Sequence, residues 1–506
     1  MIVAGVGVCL LVLTASGLVS ARRVRGDSAN YLVAGRSLSA GLVGAVLVSQ
    51  AVDSNATLGN ADLAATFGWW AGAALPIGLA VCLLLMGLFF ARRMHRADVV
   101  TLPEFFRRRF GRGIELSASA LTVASFALLL AGNLVALGFL LERFLGVSYT
   151  VGILLTIPVA LLYTITGGMF ASVYTGVAQV AINVVGVIAL VIWMATTHGL
   201  DAPDGLGAGN LEQLTSADSG AVINWATIIA LGLGNLVAID LMQRVFSSRS
   251  PGTAQRACFS AATGILLFCL PLSFVAIAAV TVVGDAAADG PILYTLLSDH
   301  APVWLAVIVI SGLLAATLTT VSGVLLSTAS VLVRNVLRLD ADAPVMTPRV
   351  MTATRLATLP MAAIAAVVAL RVPQTGILLT LSFDLLLASL VVPFALGLYW
   401  QRGGAAAAAA AIVVGIGVRL TLFVLTPTIY GVENTLLHVP NDLVTASVDG
   451  WSTIWAAAAS LTAYLVVALL SRRRVAEDVT EAAAEDTAGG TAVPVPSPEP
   501  DLVGAR

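Results

Sequence analysis

The sequence contains no lysine and few charged residues of any kind. Its 26 basic residues other than histidine are all arginine, and charged residues make up 11% of the 506-residue chain. The four cysteines all lie in apolar stretches and the four histidines show no ligand-like spacing, which argues against a disulfide framework or a zinc site. No G-x-x-x-x-G-K-[ST] phosphate loop is present, so ATP-driven transport is not expected.

Catalytic sets are equally scarce. No Cys–His pair, Ser–His–Asp set or His/Asp/Glu cluster lies within the apolar segments, so we expect no enzyme. No segment outside them is long enough to form an appended kinase or ATPase domain. We also expect no nucleic-acid partner and no required protein partner.

Apolar residues are abundant: they form 58% of the chain, and the mean hydropathy is +0.97. Runs of about 20 apolar residues recur along the chain, as in polytopic α-helical membrane proteins. We count about thirteen transmembrane helices. They lie near residues 2–20, 41–66, 69–91, 115–141, 148–166, 170–196, 221–243, 256–283, 302–333, 350–371, 375–399, 403–426 and 451–471.

The arginines predict the topology. With the N-terminus outside, the cytoplasmic segments hold nearly all of the arginines near helix ends, and the outside segments hold only Arg143 and Arg371. Residues 2–20 run into Arg22 and Arg23, which indicates a spanning helix rather than a cleaved signal peptide. Residues 475–506 are acidic and then proline-rich, which predicts a disordered cytoplasmic tail.

Two apolar stretches are interrupted by glycine and polar residues, at 41–65 and at 222–243. Each opens a series of five stretches, and broken helices at matching positions of two halves indicate an inverted-repeat secondary transporter. The predicted organisation is residues 1–40 (an extra helix and cytoplasmic loop), 41–197 (first repeat), 221–400 (second repeat), 401–474 (two further helices) and 475–506 (tail).

Five motifs follow one another along the chain. They are Y-L-V-A-G-R-S-L-S at 31–39, T-L-P-E-F-F-R-R-R-F-G at 101–111, T-G-G-M-F-A-S-V-Y-T-G-V-A-Q at 166–179, M-Q-R-V-F-S-S-R-S-P-G-T-A-Q-R-A at 242–257 and P-F-A-L-G-L-Y-W at 393–400. Together they resemble the sodium:solute symporter family of proline, pantothenate and glucose symporters. The resemblance implies an all-α, leucine-transporter-type fold of two inverted five-helix repeats with extra flanking helices. It also implies coupled uptake of one small solute with sodium.

The same resemblance implies a sodium site between the break in the first core helix and the eighth core helix. Aligned through Gly59 and Gly68, its ligands would be two backbone carbonyls of the first helix together with a carbonyl and two hydroxyls of the eighth. The implied ligands are Ser49, Val52, Ala316, Thr319 and Thr320. Gly176 departs from the family pattern, because many members carry Asp there, and a second sodium at that place is therefore doubtful. Asn335 likewise stands where many members carry Asp.

Asp53 directly follows one of the implied ligand carbonyls, and three roles remain open for it. It is the counter-charge of a cationic solute, or it binds sodium or a proton, or it caps the half-helix whose backbone N–H groups the break leaves free. Other polar residues at membrane depth are candidates for the solute site: Gln50, Asn55, Asn133, Asn235, Ser382 and Asp384. For Asp384 a structural ion pair with Arg419 is the alternative.

These observations favour a sodium-driven symporter for a small polar or cationic organic solute that works by alternating access. A proton-coupled transporter of the same fold, with Asp53 as the protonated group, is one alternative. A membrane receptor that binds solute without moving it is another. The arginine- and alanine-rich composition is typical of a GC-rich bacterium, which would place the chain among the lipids of the plasma (inner) membrane with a cytoplasmic C-terminus.

Overall fold

The computed structural model describes residues 4–7, 36–97, 99, 101–284, 290–339 and 348–471. Helices dominate this part of the chain. The long helices and helix segments are α1 (Ala40–Ala51), α2 (Ser54–Phe67), α3 (Trp69–Arg96), α4 (Leu102–Phe110), α5 (Arg112–Leu145), α6 (Tyr149–Thr197), α7 (Ala221–Val237), α8 (Ile239–Phe246), α9 (Pro251–Val283), α10 (Val303–Val336), α11 (Pro348–Arg371), α12 (Thr375–Tyr399), α13 (Ala405–Leu425) and α14 (Trp451–Leu470).

Shorter elements occur in the connections. They are the helical turns Glu212–Thr215, Ala217–Ser219, Ile292–Thr295, Leu296–His300 and Ala446–Val448, and an antiparallel hairpin of β1 (Thr428–Ile429) and β2 (Val432–Glu433). Four of the long helices contain a π-helical turn, at Met86–Phe90, Ala230–Gly234, Leu332–Val336 and Leu387–Val391. Such turns are frequent at functional sites.

The number of spans is lower than the predicted thirteen within the described residues. Eight helices there are long and apolar enough to cross a membrane, or nine when α7 and α8, which meet at 51°, are taken as one bent span. Three shorter apolar helices add to these: Ala40–Ala51, Tyr149–Pro158 and Leu356–Arg371. Of the predicted span 2–20 only residues 4–7 are described, as helix, and the predicted tail 475–506 lies outside the described residues.

One predicted boundary is wrong. Stretches 148–166 and 170–196 were expected to be separate helices, but the backbone is helical without a break from Tyr149 to Thr197. Its two apolar parts, Tyr149–Pro158 and Thr175–Thr197, match the two stretches. Because helical hydrogen bonds need no particular side chain, glycines at 167 and 168 do not by themselves end a helix.

Both predicted helix breaks are present. The first separates α1 from α2 at Val52 and Asp53, and the second follows the π turn of α7, where Ala238 is extended. The broken pair α1–α2 lies at the centre of the bundle: α1 packs against α6 and α9, and α2 packs against α3, α9 and α12. Small residues permit these contacts, since a Cβ on Gly59 would lie 2.5 Å from Gly376 Cα.

Arginines connect the helices at the end of the bundle that the predicted topology places in the cytoplasm. Arg109 donates to the carbonyls of Gly397, Trp400, Gln401 and Gly403, which ties α4 to the end of α12.

A second group joins α5 to the end of α10. Arg112 donates to Glu115 Oε2 at 2.7 Å and to the Asn335 carbonyl. Asn335 donates to Glu115 Oε1 at 2.8 Å and accepts from Thr101 Oγ1 at 2.9 Å. The amide at 335 therefore serves as both donor and acceptor in a buried network, which a carboxylate in its place would not.

Candidate ion and solute site

The break between α1 and α2 exposes backbone groups deep in the bundle. The Val52 N–H donates to the Val48 carbonyl at 2.8 Å and closes α1. Asp53 is extended and caps α2, accepting the Ala56 N–H on Oδ1 at 2.9 Å. The carbonyls after Val48 lie at a helix end, where the last carbonyls lack intrahelical partners and are satisfied by side chains or ligands.

The structure places one proposed sodium ligand of α1 close to one of α10. A Cβ on Gly176 of α6 would lie 2.8 Å from Ser49 Oγ and 3.9 Å from Thr319 Cγ2. The glycine thus lets α6 approach both helices. An aspartate in its place would project into the space between Ser49 and Thr319, so the departure from the family pattern falls at this site.

The two hydroxyls on α10 differ in their bonding. Thr319 Oγ1 donates to the Ala315 carbonyl one turn back at 2.8 Å, a common arrangement for Thr in a membrane helix. Thr320 is fully buried, and its Oγ1 has no hydrogen-bond partner among the described residues. A buried hydroxyl without a partner is costly, so a ligand at Thr320 would remove that cost.

Gln179 belongs to the same site and is absent from the sequence-based candidates. Its Oε1 accepts from Ser49 Oγ at 2.7 Å, and its Nε2 donates to the Ser49 carbonyl at 3.3 Å. The side chain therefore orients the carbonyl that we expect to bind sodium. A signal was available, because Gln179 is the last residue of the motif at 166–179.

A second contact that the sequence did not indicate joins α2 to α10. Ser54 Oγ and Thr317 Oγ1 lie 3.0 Å and 2.9 Å from the Leu313 carbonyl oxygen. The two hydroxyls also contact each other, so one donates to the carbonyl and the other donates to its neighbouring hydroxyl. These bonds fix the first turn of α2 against α10, beside the break.

Both carboxylate oxygens of Asp53 have partners. Oδ1 accepts the Ala56 N–H, and Oδ2 accepts from Asn133 Nδ2 of α5 at 2.8 Å. The side chain is 2% exposed. This geometry is the helix-capping role, the third of the three predicted roles. It leaves the counter-charge and ion-binding roles as predictions.

Asn55 and Asn133 share one carbonyl and each leave one oxygen unused. Asn55 Nδ2 and Asn133 Nδ2 both donate to the Leu129 carbonyl, at 2.9 Å and 3.1 Å. These bonds fix which end of each amide is nitrogen. The Oδ1 atoms of Asn55 and Asn133 are buried and have no partner among the described residues. Two hydrogen-bond acceptors therefore lie unused where α2 crosses α5.

Gln50 has two strong partners on the second broken helix. Its Nε2 donates to Asp240 Oδ2 at 2.7 Å, and its Oε1 accepts from Arg244 Nη2. Arg244 Nη1 also donates to the Asp240 carbonyl at 2.7 Å. With both ends of its amide bound, Gln50 ties α1 to α8. Its contact with solute stays a prediction.

The second break lies against α12. A Cβ on Gly234 would lie 2.0 Å from the Phe383 carbonyl oxygen, so the neighbouring Asn235 is held near α12. The buried Oδ1 of Asn235 has no hydrogen-bond partner among the described residues. Ser382 Oγ donates to the Leu379 carbonyl at 2.9 Å within α12. The backbone carbonyl of Ser382 accepts from Ser125 Oγ at 2.7 Å.

Asp384 forms an ion pair with Arg419 of α13, the alternative that the sequence offered for it. Asp384 Oδ2 accepts a hydrogen bond from Arg419 Nε, while Oδ1 has no hydrogen-bond partner among the described residues. Both side chains are buried. The pair therefore joins α12 to α13 and neutralises the carboxylate.

Two larger cavities lie at the end of the bundle that the predicted topology places outside. One of about 700 Å³ is lined by residues of α2, α5 and α9, and one of about 390 Å³ by residues of α2, α7 and α12. None of the predicted solute-site residues lines either cavity. Within the described residues no cluster of His, Cys, Asp and Glu is able to hold a metal ion.

Curated proteins similar to this chain are transporters. It is 28% identical to the high affinity choline transporter 1 of Homo sapiens over 330 residues, which cover 61% of this chain and 56% of that protein. It is 25% identical to the Caenorhabditis elegans high-affinity choline transporter 1 over 415 residues, covering 77% and 70%. It is 33% identical to sodium/glucose cotransporter 4 of Danio rerio over 173 residues, covering 34% and 26%. The chain thus spans little more than half the length of the human relative.

Solved structures show the same fold at low identity. A Na+-coupled sialic acid symporter in a substrate-bound, outward-open state has a TM-score of 0.71 at 17% identity, covering 93% of this chain and 97% of that one. A nucleobase-cation-symport-1 family transporter in a closed conformation has a TM-score of 0.57 at 15% identity, covering 88% and 95%. The predicted leucine-transporter-type fold is confirmed, while the boundaries of its repeats stay a prediction.

The family model agrees with these likenesses. The model of the sodium:solute symporter family matches residues 31–415, which include all five motifs identified in the sequence. The family and the relatives are transporters rather than enzymes. This chain belongs to the sodium:solute symporter family.

Proposed function

We propose that the protein couples sodium entry to the uptake of a small polar or cationic organic solute by alternating access. Membership of the family supports the coupling, and relatives named for choline and glucose transport support a small organic solute. In the orientation that the arginines predict, the N-terminus lies outside and the C-terminus in the cytoplasm of a bacterial plasma membrane.

The observation that carries the sodium proposal is the unpartnered Thr320 hydroxyl beside the broken helix. Together with the Thr319 hydroxyl and the carbonyls of Ser49, Val52 and Ala316, it would supply five uncharged oxygens. Oxygen ligands suit a hard cation, and a site without formal charge allows a monovalent ion to leave again. Gln179 holds the Ser49 carbonyl and would move little when the ion binds.

The unused oxygens of Asn55, Asn133 and Asn235 support a solute with hydrogen-bond donors. An amide oxygen accepts but does not donate, so an N–H or O–H group of the solute would satisfy each of them. A primary amine or a polyol has such groups. A quaternary ammonium has no N–H and is usually bound by aromatic rings instead. The solute is therefore a primary amine or a polyol rather than a quaternary ammonium.

A thermal-shift series with increasing N-methylation tests this proposal. The compounds are 2-aminoethanol, its N-methyl and N,N-dimethyl derivatives and choline, with glucose and myo-inositol as neutral donors, each in sodium and in potassium buffer. Binding to the folded state raises its apparent stability. We expect stabilisation only in sodium buffer. For an amine solute the stabilisation decreases with each added methyl group, and for a polyol solute only the polyols stabilise the protein. Asn133→Ala reduces the shift by at least half, and Asn441→Ala in the outer loop leaves it unchanged.

The outcomes separate the parts of the proposal. Choline stabilising more than 2-aminoethanol and the polyols would contradict the solute class and leave sodium coupling intact. A shift that is equal in sodium and potassium but changes with pH would contradict sodium coupling and favour the proton-coupled alternative at Asp53.

A further inference from the structure

The largest of the described outer cavities lies apart from the break between α1 and α2, and none of the predicted solute-site residues lines it. It is about 700 Å³, within the usual range of roughly 300–1,000 Å³ for small-molecule sites. It lies between the last turns of α2, α5 and α9 and the connection before α12. Its lining consists of Asp62, Ala65, Thr66, Phe139, Val280, Gly290, Pro291, Ile292, Pro373 and Gln374.

Asp62 is the one charged side chain among these lining residues. Its Oδ1 accepts the Ile292 N–H at 2.9 Å and so holds the start of the helical turn Ile292–Thr295. Its Oδ2 receives no hydrogen bond from the described residues. In contrast to Asp53, whose two oxygens are both occupied, Asp62 has a carboxylate oxygen available to the cavity.

Phe139 supplies an aromatic surface in the same cavity, and none of the described lining residues is basic. A carboxylate together with an aromatic ring is a favourable environment for an organic cation, because the ring face also attracts positive charge. A bare sodium ion prefers several oxygens close together, whereas this cavity is large and offers one carboxylate beside an aromatic ring. The chemistry therefore favours a larger cation.

Arg143, which lines the adjoining small cavity, is already paired. A smaller cavity of about 180 Å³ shares Phe139 and Gly290 with the larger one and is also lined by Glu142 and Arg143. Arg143 forms an ion pair with Asp299 and donates to Ser298 Oγ at 2.9 Å. The hydrogen bond from Ser298 and the charge of Arg143 hold the pKa of Asp299 below its usual range, so the pair persists at neutral pH. Arg143 therefore adds no unpaired positive charge beside this cavity.

We propose that the cavity around Asp62 and Phe139 is an outer binding site for a small organic cation. Asp62 lies nine residues after Asp53 on the same helix, about 14 Å further out at the helical rise per residue. A cationic solute would bind here first and then move along α2 towards the break. This inference rests on the proposed function in one respect, namely that the occupant is the transported solute. Binding itself requires neither sodium nor transport.

Saturation-transfer NMR on the full chain in potassium buffer tests the site without involving the sodium site. The probes are 2-aminoethanol, which is cationic at neutral pH, and its neutral isostere 1-propanol. We expect binding of the cation alone, weakened at least about tenfold by Asp62→Asn and by a smaller factor in Phe139→Leu. Asp62→Asn keeps an oxygen to accept the Ile292 N–H, so the fold is preserved. Asp218→Asn, which removes the same charge at the other outer cavity, leaves binding unchanged.

Thr320→Val separates this inference from the proposed function. If the outer site is real, the cation binds Thr320→Val as it binds the wild type, even when sodium binding is lost. Equal binding of 1-propanol, equal binding to Asp62→Asn, or no binding of 2-aminoethanol to the wild type would each overturn the outer site while leaving sodium coupling untouched.

Discussion

Buried carboxylates in this bundle are retained because each has specific partners. Asp53 accepts a backbone N–H at the start of α2 and an amide N–H from α5, and Asp384 is paired with Arg419. A carboxylate at membrane depth is costly without such partners. The backbone hydrogen bond to Asp53 is a consequence of the broken helix, since only a helix start offers free N–H groups. The ion pair of Asp384 with Arg419 joins α12 to α13.

The Asp384–Arg419 pair predicts a clear asymmetry between single and double variants. Arg419→Ala leaves a buried carboxylate unpaired, and loss of one partner of a buried pair costs about 3–5 kcal/mol. The double variant Asp384→Leu with Arg419→Met removes both charges and should recover most of that loss. Thermal unfolding in detergent measures both. Equal destabilisation by the single and the double variant would show that the pair contributes no such coupling.

At the scale of elements, the two broken helices and their contacts were only partly predictable. The polar residues after Ser49 and the G-L-G-N segment at residues 232–235 indicated the two breaks, because polar and glycine residues interrupt otherwise apolar stretches there. The contacts that fix the breaks were not visible in the sequence. Gln179 lies 130 residues from Ser49, and Ser54 lies 259 residues from Leu313, so no local periodicity connects them.

Close backbone approach explains why residue 234, in the interrupted stretch that the sequence indicated, is a glycine. A side chain at Gly234 would collide with the Phe383 carbonyl, so Gly234→Ala should push the second break away from α12 at a cost of about 1–3 kcal/mol. Gly417→Ala is the matched control, because nothing lies within 4 Å of a Cβ there. Thermal unfolding of the two variants measures the difference. A Gly234→Ala protein as stable as Gly417→Ala would contradict the packing described here.

At the scale of the molecule, the two ends of the bundle differ. Arg109 and the network of Arg112, Glu115 and Asn335 tie α4 and α5 to the ends of α12 and α10, while the larger described cavities lie at the opposite end. A secondary transporter must open its two ends in turn, so we interpret the state as closed inside with space outside. The fold class and the sodium family followed from the sequence motifs, but the state of the two ends did not, because it depends on contacts between distant loops.

Equilibrium binding of radioactive sodium to the purified chain, without solute, tests the central claim most directly. The account predicts saturable binding that Thr320→Ser retains and that Thr320→Val weakens at least about tenfold, or about 1.4 kcal/mol. Thr328→Val is the control, because that hydroxyl donates to the Val324 carbonyl on the same helix. Undiminished sodium affinity in Thr320→Val, or no saturable binding to the wild type, would contradict the account.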